Sequence, residues 1–184
     1  NRRHHPIKSK QGETFKKFVT QLEELGYVVE FRELVAADYG APTMRKRLFM
    51  IARCDGRPII WPAPTHGPIN SEKVRAGLLK PYVGAYTQLN FSLPCPSIFD
   101  TSEQIKEKYG IRAVRPLSQK TMSRIARGIK KFVLDNPDPF IIEDMAPVID
   151  KAYGGNYTGA GSKADDPLDT ITTVDHNRLV TATL

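Results

Sequence analysis

Apolar residues at the start of the chain recur in two different periods. Over 12–25, Phe15, Phe18, Val19, Leu22 and Leu25 follow the i, i+3, i+4, i+7 spacing, while Lys16, Lys17, Glu23 and Glu24 take the opposite face. This predicts an amphipathic helix, with Gly26 placed to end it in the left-handed conformation. Residues 27–35 are rich in β-branched and aromatic side chains and predict a strand. The stretch 36–44 carries Gly40 and Pro42 and predicts a loop, and 48–52 is a second apolar strand. Helix, strand, loop, strand is the order at the edge of an α/β domain.

The pattern shifts at Arg57. Pro58, Pro62, Pro64 and Pro68 fall within eleven residues, too dense for a helix or a central strand, so 57–70 reads as an extended linker. Short helices are expected over 71–79 and 102–108. The strongest later element is a helix over 118–134, with an apolar stripe of Met122, Ile125, Ile129, Phe132 and Val133. Its opposite, wet face would hold Lys120, Arg124, Arg127 and Lys130, and Asp135-Asn136-Pro137 stops it. Strands are expected over 140–143, 171–174 and 179–184, with a glycine-rich loop over 154–162. No internal repeat is visible.

Composition narrows the classes. At 184 residues and 40% hydrophobic, the chain is long enough for one medium domain, or a domain with an appendage. No apolar run reaches the roughly 20 residues of a membrane span. Two cysteines, Cys54 and Cys95, make no disulfide scaffold, and nothing resembles a secretory signal, so a soluble intracellular chain is expected. The net charge of +7 is unevenly spread. Residues 1–60 carry 12 basic and 7 acidic side chains, 61–135 carry 12 and 5, and 136–184 carry 3 and 8. A basic two-thirds before an acidic end suggests a polyanion partner, against the plainer reading of a solvated basic surface. The chain starts with Asn-Arg-Arg-His-His and its last residues read as a strand, which sets the expectation of a piece of something longer.

The most informative stretch is Leu25-Gly-Tyr-Val-Val-Glu-Phe-Arg-Glu-Leu-Val-Ala-Ala-Asp-Tyr-Gly-Ala-Pro-Thr-Met-Arg-Lys-Arg-Leu-Phe-Met-Ile-Ala. It puts Arg45 and Arg47 where a loop enters an apolar strand, two residues apart and so on the same side. Two adjacent guanidiniums need anionic or carbonyl-rich company. The simplest source is a pair of carboxylates on the neighbouring strand, such as Glu30 and Glu33.

This stretch closely resembles the eighth motif of the DNA cytosine-5 methyltransferases, a Gly-x-Pro-Gln-x-Arg-x-Arg block ending in an apolar strand. The upstream helix with Leu-Gly-Tyr and the downstream Trp61-Pro-Ala-Pro-Thr-His are similar to that family too. Its bacterial and prophage branch is the nearest in wording, through Arg115-Pro-Leu-Ser, Arg124-Ile-Ala-Arg-Gly-Ile, and Asp166-Pro-Leu-Asp-Thr-Ile-Thr-Thr with Asp175-His176. The resemblance implies methyl transfer from S-adenosylmethionine to carbon 5 of a cytosine flipped out of duplex DNA. It implies Arg45 and Arg47 as the candidate catalytic residues: Arg47 on the base oxygen, where a fixed cation stabilises developing charge, and Arg45 supporting the site or a phosphate. The family's glutamine falls at Thr43, which has a shorter reach and is given no catalytic role.

Other family motifs are absent. There is no glycine-rich cofactor turn in the right place, no Glu-Asn-Val, and no upstream Pro-Cys-Gln carrying the nucleophile. Pro94-Cys95-Pro96 lies downstream, so Cys95 and Cys54 read as structural thiols, a class usually buried and inert. A Cys95/His66 or Cys95/His176 hydrolase pair stays open, without oxyanion glycines to support it. His4-His5 is not read as a metal site, and Asp165, Asp166 and Asp169 read as a solvated acidic turn.

The resemblance therefore implies a mixed α/β chain: the end of a Rossmann-like methyltransferase domain, then an irregular α+β target recognition domain. The expected division is 1–56 for the catalytic part, 57–70 for the proline-rich linker, and 71–184 for a truncated recognition region. Arg112, Arg115, Arg124, Arg127, Lys130, Thr172 and Thr173 are its DNA-binding candidates, with Lys131 beside them. Double-stranded DNA is the implied partner, with no membrane, in the bacterial, nucleoid-associated cytoplasm; self-association is left open. The S-adenosylmethionine loop belongs to the parent, so the piece alone is expected to be inactive. The alternative is a stand-alone, non-catalytic DNA-binding module derived from such an enzyme.

Overall fold

In the computed structural model, which describes residues 10–153, 157–174 and 176–183, helix α1 spans Glu13–Glu24. His4 and His5, residues 154–156 of the glycine-rich loop, Asp175 and Leu184 lie outside the described residues. Gly26 ends α1 at φ +86°; its N–H bonds the Glu23 carbonyl and the Tyr27 N–H bonds that of Leu22, at 2.9 and 3.0 Å. This is the paired closure that lets a glycine stop a helix sharply. Strands β1 (Val28–Val35) and β2 (Lys46–Arg53) form an antiparallel hairpin in register from Val28↔Arg53 to Val35↔Lys46. Phe15 of α1 meets Phe31 edge to face at 5.1 Å.

The chain divides into two compact units, one of Asn1–Val35 with Lys46–Pro64, the other of Ala36–Arg45 with Thr65–Leu184. In the first unit no residue of α1, β1 or β2 is fully buried, and Phe18, Val28, Phe31, Leu48 and Phe49 are exposed. A two-stranded ribbon with one helix has too few layers to enclose these side chains.

The second unit begins with a 3₁₀ turn at Ala36–Tyr39, followed later by β3 (His66–Gly67), α2 (Glu72–Arg75) and β4 (Lys80–Pro81), with β3 and β4 paired parallel. Helix α3 (Ser102–Tyr109) is closed by a capping box between Thr101 and Gln104 and buries Ile105. Helix α4 (Gln119–Ile129) starts under the Ser118 hydroxyl and widens into a π turn at Lys130–Leu134. Its stripe packs on the three-stranded sheet β6 (Ser162–Lys163), β5 (Met145–Lys151), β7 (Asn177–Thr183). Val133, Ala146 and Val148 form the buried cluster, with Ile129, Phe132 and Ala182 against it.

The architecture is mixed α/β with small sheets. Three local expectations need correction. Residues 140–143 do not form a strand: Glu143 and Asp144 adopt φ of 49° and 60° in a tight turn, Ile142 bridges back to Met145, and the strand starts there. Pro147 is tolerated inside the central strand β5 because β6 pairs only with Val148 and Ile149. Residues 171–174 are irregular and exposed rather than a strand, and the helix expected over 71–79 keeps only four residues. No helix among the described residues is long and apolar enough to cross a membrane.

Candidate functional site

The segment joining the two strands of the hairpin belongs to the second unit, and there it is gripped by residues 168–171. The Met44 N–H donates to the Leu168 carbonyl at 2.7 Å, and the Leu168 N–H to that of Pro42 at 3.0 Å. The Thr43 hydroxyl donates to the Asp169 carbonyl at 3.1 Å, and Arg45 Nη1 to the Ile171 carbonyl at 2.7 Å. Four hydrogen bonds thus join stretches some 126 residues apart. Two separate family-like phrases, Gly40-Ala-Pro-Thr-Met-Arg and Asp166-Pro-Leu-Asp-Thr-Ile-Thr-Thr, meet in space.

A third phrase closes the same turn from the other end. The Thr65 N–H donates to the Asp38 carbonyl at 2.9 Å, and the Tyr82 hydroxyl to Asp38 Oδ1 at 2.6 Å. Burial, reinforced by the Asp38 carboxylate, pushes the Tyr82 phenol up to about 12. The His66 ring lies where a side chain at Gly40 would be, 2.8 Å from an added Cβ, and Gly40 itself has φ +89°. Only glycine combines that backbone with so close a ring. In the first unit, Trp61 Nε1 donates to Glu30 Oε2 at 2.6 Å and Arg32 lies 4.9 Å over the indole.

Arg45 precedes β2 and is half-buried; Arg47 lies in β2, is exposed, and donates from Nη1 to the Lys46 carbonyl at 2.8 Å. The expected carboxylates are taken by other groups: Glu33 pairs with Lys46 at 2.6 Å, and Glu30 with Arg32 and Trp61. Among the described residues neither Arg45 nor Arg47 forms an ion pair. Each guanidinium is steadied by one backbone carbonyl.

The other candidates fall into distinct surroundings. Thr172 and Thr173 are exposed, directly after the carbonyl that holds Arg45, and the Thr172 hydroxyl donates to Val174 at 2.7 Å. Arg112 and Arg127 are exposed without an ion pair among the described residues. Lys130 pairs with Asp135 at 3.0 Å in solvent, and Lys131 lies 5.0 Å from the Phe132 ring. Arg115 is half-buried, with Nη1 on the Val114 carbonyl at 3.2 Å. Arg124 departs from the wet-face reading: Nε and Nη2 grip the two oxygens of Asp150 at 3.0 and 3.3 Å, and the side chains are 12% and 3% exposed. Helical period locates Arg124 on a polar row; it carries no information about a carboxylate on β5.

The acidic turn is also not simply solvated. Lys151 Nζ reaches Asp169 Oδ2 at 2.6 Å and the Tyr153 hydroxyl donates to the same oxygen at 3.1 Å. The Lys151 hydrogen bond, against an opposing burial effect, holds the Asp169 carboxyl below the usual carboxylate range. The sequence signals Lys151 only through a charged pair, Asp150-Lys151, closing an apolar run, and gives no signal for Tyr153. Cys54 and Cys95 are exposed rather than buried, and Cys95 Sγ lies 3.6 Å from Thr181 Oγ1. No hydrogen bond joins Cys95 to His66 or His176 among the described residues; these rings contact Thr65 and the Ala152 carbonyl instead. Among the described residues no group of three or more His, Cys, Asp or Glu is arranged to hold a metal ion.

Residues 5–173 match the family model for C-5 cytosine-specific DNA methylases, and the chain belongs to that family. A segment of 60 residues is 42% identical to the Type II methyltransferase M1.HphI of Haemophilus parahaemolyticus, covering 33% of this chain and 16% of the relative. The Type II methylase M.HgiDII of Herpetosiphon aurantiacus is 43% identical over 65 residues, covering 35% and 18%, and M.SacI of Streptomyces achromogenes is 40% identical over 52, covering 28% and 13%. The chain thus aligns with less than a fifth of the length of these curated relatives. No solved structure matches it.

Proposed function

We propose that this chain is the C-terminal portion of a bacterial DNA cytosine-5 methyltransferase of restriction-modification type. It would supply base-holding arginines and part of the target-reading surface, while a longer polypeptide supplies the rest. In this reading 1–56 ends the catalytic domain, 57–70 is the linker and 71–184 belongs to target recognition. The observation that carries it is the joining of the Thr43–Arg45 turn to residues 168–171, which brings Arg45 next to the exposed Thr172 and Thr173.

The division of labour follows from chemistry. Attack on a flipped cytosine builds negative charge on its ring and carbonyl oxygen, and a guanidinium fixed beforehand lowers that barrier. Arg47 is the residue assigned to the base oxygen; Arg45, held by the Ile171 carbonyl, is assigned to the adjacent backbone or a phosphate. Arg112, Arg115, Arg127 and Lys130 supply sequence-independent phosphate attraction, with Arg124 serving the helix–sheet junction instead.

S-adenosylmethionine, the methyl donor such an enzyme requires, does not fit the described residues. The glycine-rich stretch follows β5 and leads into β6 of the same antiparallel sheet, whereas a cofactor turn opens a helix whose N–H groups face the ligand. The uncovered apolar side chains of the first unit, Phe18, Phe31, Leu48 and Phe49, suit packing against the remaining strands and helices of a catalytic domain.

The intact mass of the native protein in its source cell tests this directly. A mass well above 20.6 kDa, with a glycine-rich turn and a Pro-Cys-Gln upstream, is the expected result. A mass near 20.6 kDa would refute it and leave a DNA-binding remnant.

A further inference from the structure

Lys151 ends β5 with only 8% of its surface exposed. An ammonium taken out of water needs a partner, since burying it alone costs several kcal/mol. Its partner is Asp169, at the centre of the segment that grips the Thr43–Arg45 turn, and Tyr153 donates to the same carboxylate oxygen. The Asp169 residue therefore faces two ways. Its side chain is tied to the sheet through Lys151, and its carbonyl accepts the Thr43 hydroxyl. Leu168 and Ile171 on either side bond Pro42, Met44 and Arg45. Residues 171–174 beyond it are exposed and irregular, and the segment itself has only the single bridge of Leu168 to Thr43 rather than an extended ladder to hold it.

We propose that Lys151 and Asp169 form a positioning latch, which fixes Thr43 and Arg45 against residues 168–171 so that the arginine turn and the Thr172–Thr173 segment present to DNA as one unit. The DNA-facing half of this statement rests on the function proposed above; the latch itself does not. Lys151 and Asp169 touch no base or phosphate in this scheme and act through Arg45.

Asp169→Asn tests it, because the substitution keeps the shape and removes the charge. Amide hydrogen exchange in the 184-residue chain is expected to lose at least tenfold protection at Met44 and Leu168, while Val148 and Val180 in the paired strands keep theirs. Lys151→Met should do the same, and Tyr153→Phe, which removes the weaker of the two bonds, should cost less. Unchanged protection at Met44 and Leu168 in the Asn and Met variants would overturn the latch. So would an equal loss at Val148 and Val180, which would signify general unfolding.

Binding to a mixed-sequence duplex adds the second readout. Removing a carboxylate should by itself strengthen attraction to DNA, so a severalfold loss of affinity in Asp169→Asn can come only from misplacement. That loss is expected to vanish in an Arg45→Ala background. The same loss with and without Arg45 would refute action through Arg45. If the unaltered chain showed no affinity for DNA at low salt, the proposed function would fall, and the exchange measurement would still decide the latch.

Discussion

Removing the carboxylate of Asp150 should unfasten α4 from β5. Arg124 makes two bonds to that carboxylate at 3.0 and 3.3 Å and a third to the Thr121 hydroxyl at 3.4 Å, with 12% of its side chain exposed and 3% of its partner's. In Asp150→Ala the guanidinium stays where water reaches it poorly and has lost its counter-charge. Breaking a pair buried to this degree costs about 3–5 kcal/mol, and each 1.4 kcal/mol is roughly tenfold in the folding equilibrium. For a chain of this size the same loss is roughly 6–20 °C in Tm. Urea unfolding followed by far-UV circular dichroism reads the change as a lower midpoint at constant slope. The double variant Arg124→Met/Asp150→Leu replaces both charges with apolar groups and should recover most of the loss, since the pair's desolvation is then removed as well. A cost under 1 kcal/mol for Asp150→Ala would refute the reasoning and return Arg124 to the solvent-facing, DNA-contacting row.

Four further outcomes follow from the same geometry. In the longer methyltransferase proposed above, Arg47→Ala should lower turnover far more than DNA affinity; equal losses would point to a phosphate contact. Affinity of the chain for duplex DNA should fall steeply with salt, and Arg127→Ala should reduce the slope of log affinity against log salt by about one phosphate contact. A slope that ignores salt would exclude a phosphate-binding surface. Gly40→Ala, at φ +89° with the His66 ring 2.8 Å from the new Cβ, should destabilise the second unit by roughly 1–3 kcal/mol in thermal unfolding. In an alkaline absorbance titration, Tyr82 should ionise near about 12, and Tyr82→Phe should remove that step. Because its folded value is raised, the Asp38–Tyr82 contribution to stability is complete below the ordinary phenol range and disappears as pH climbs through the folded value.

Local signals were sufficient wherever an element depends on its own side chains. The spacing of Phe15, Phe18, Val19 and Leu22 and the glycine at position 26 locate α1 within a residue at each end. The β-branched run before Val35 and the apolar run after Lys46 locate the two strands, and Ser118 with the stripe from Met122 locates α4. Such positions respond to apolar period and capping, which act over three or four residues. The signals fail around Glu143 and Asp144, where an apolar doublet, Ile141-Ile142, resembles a strand. There the left-handed turn decides the start of β5, and strand propensity alone does not report it.

The amino-acid sequence alone therefore determined the amphipathic helices, the two strands that flank the loop, the basic character, and through one stretch from Leu25 to Ala52 the family. Tertiary structure alone decided which charges are neutralised and which segments touch. Arg124 and Arg127 stand three residues apart on one helix, yet the first is half-buried against the buried carboxylate of Asp150 and the second faces water. Residues 168–171 grip the arginine turn from 126 positions away, and Lys151 reaches Asp169 through a fold of the chain. Periodicity records which face of an element is apolar. The partner that covers that face, or pairs with a charge beside it, is selected only when distant segments close on one another, and that choice is a property of the packed chain.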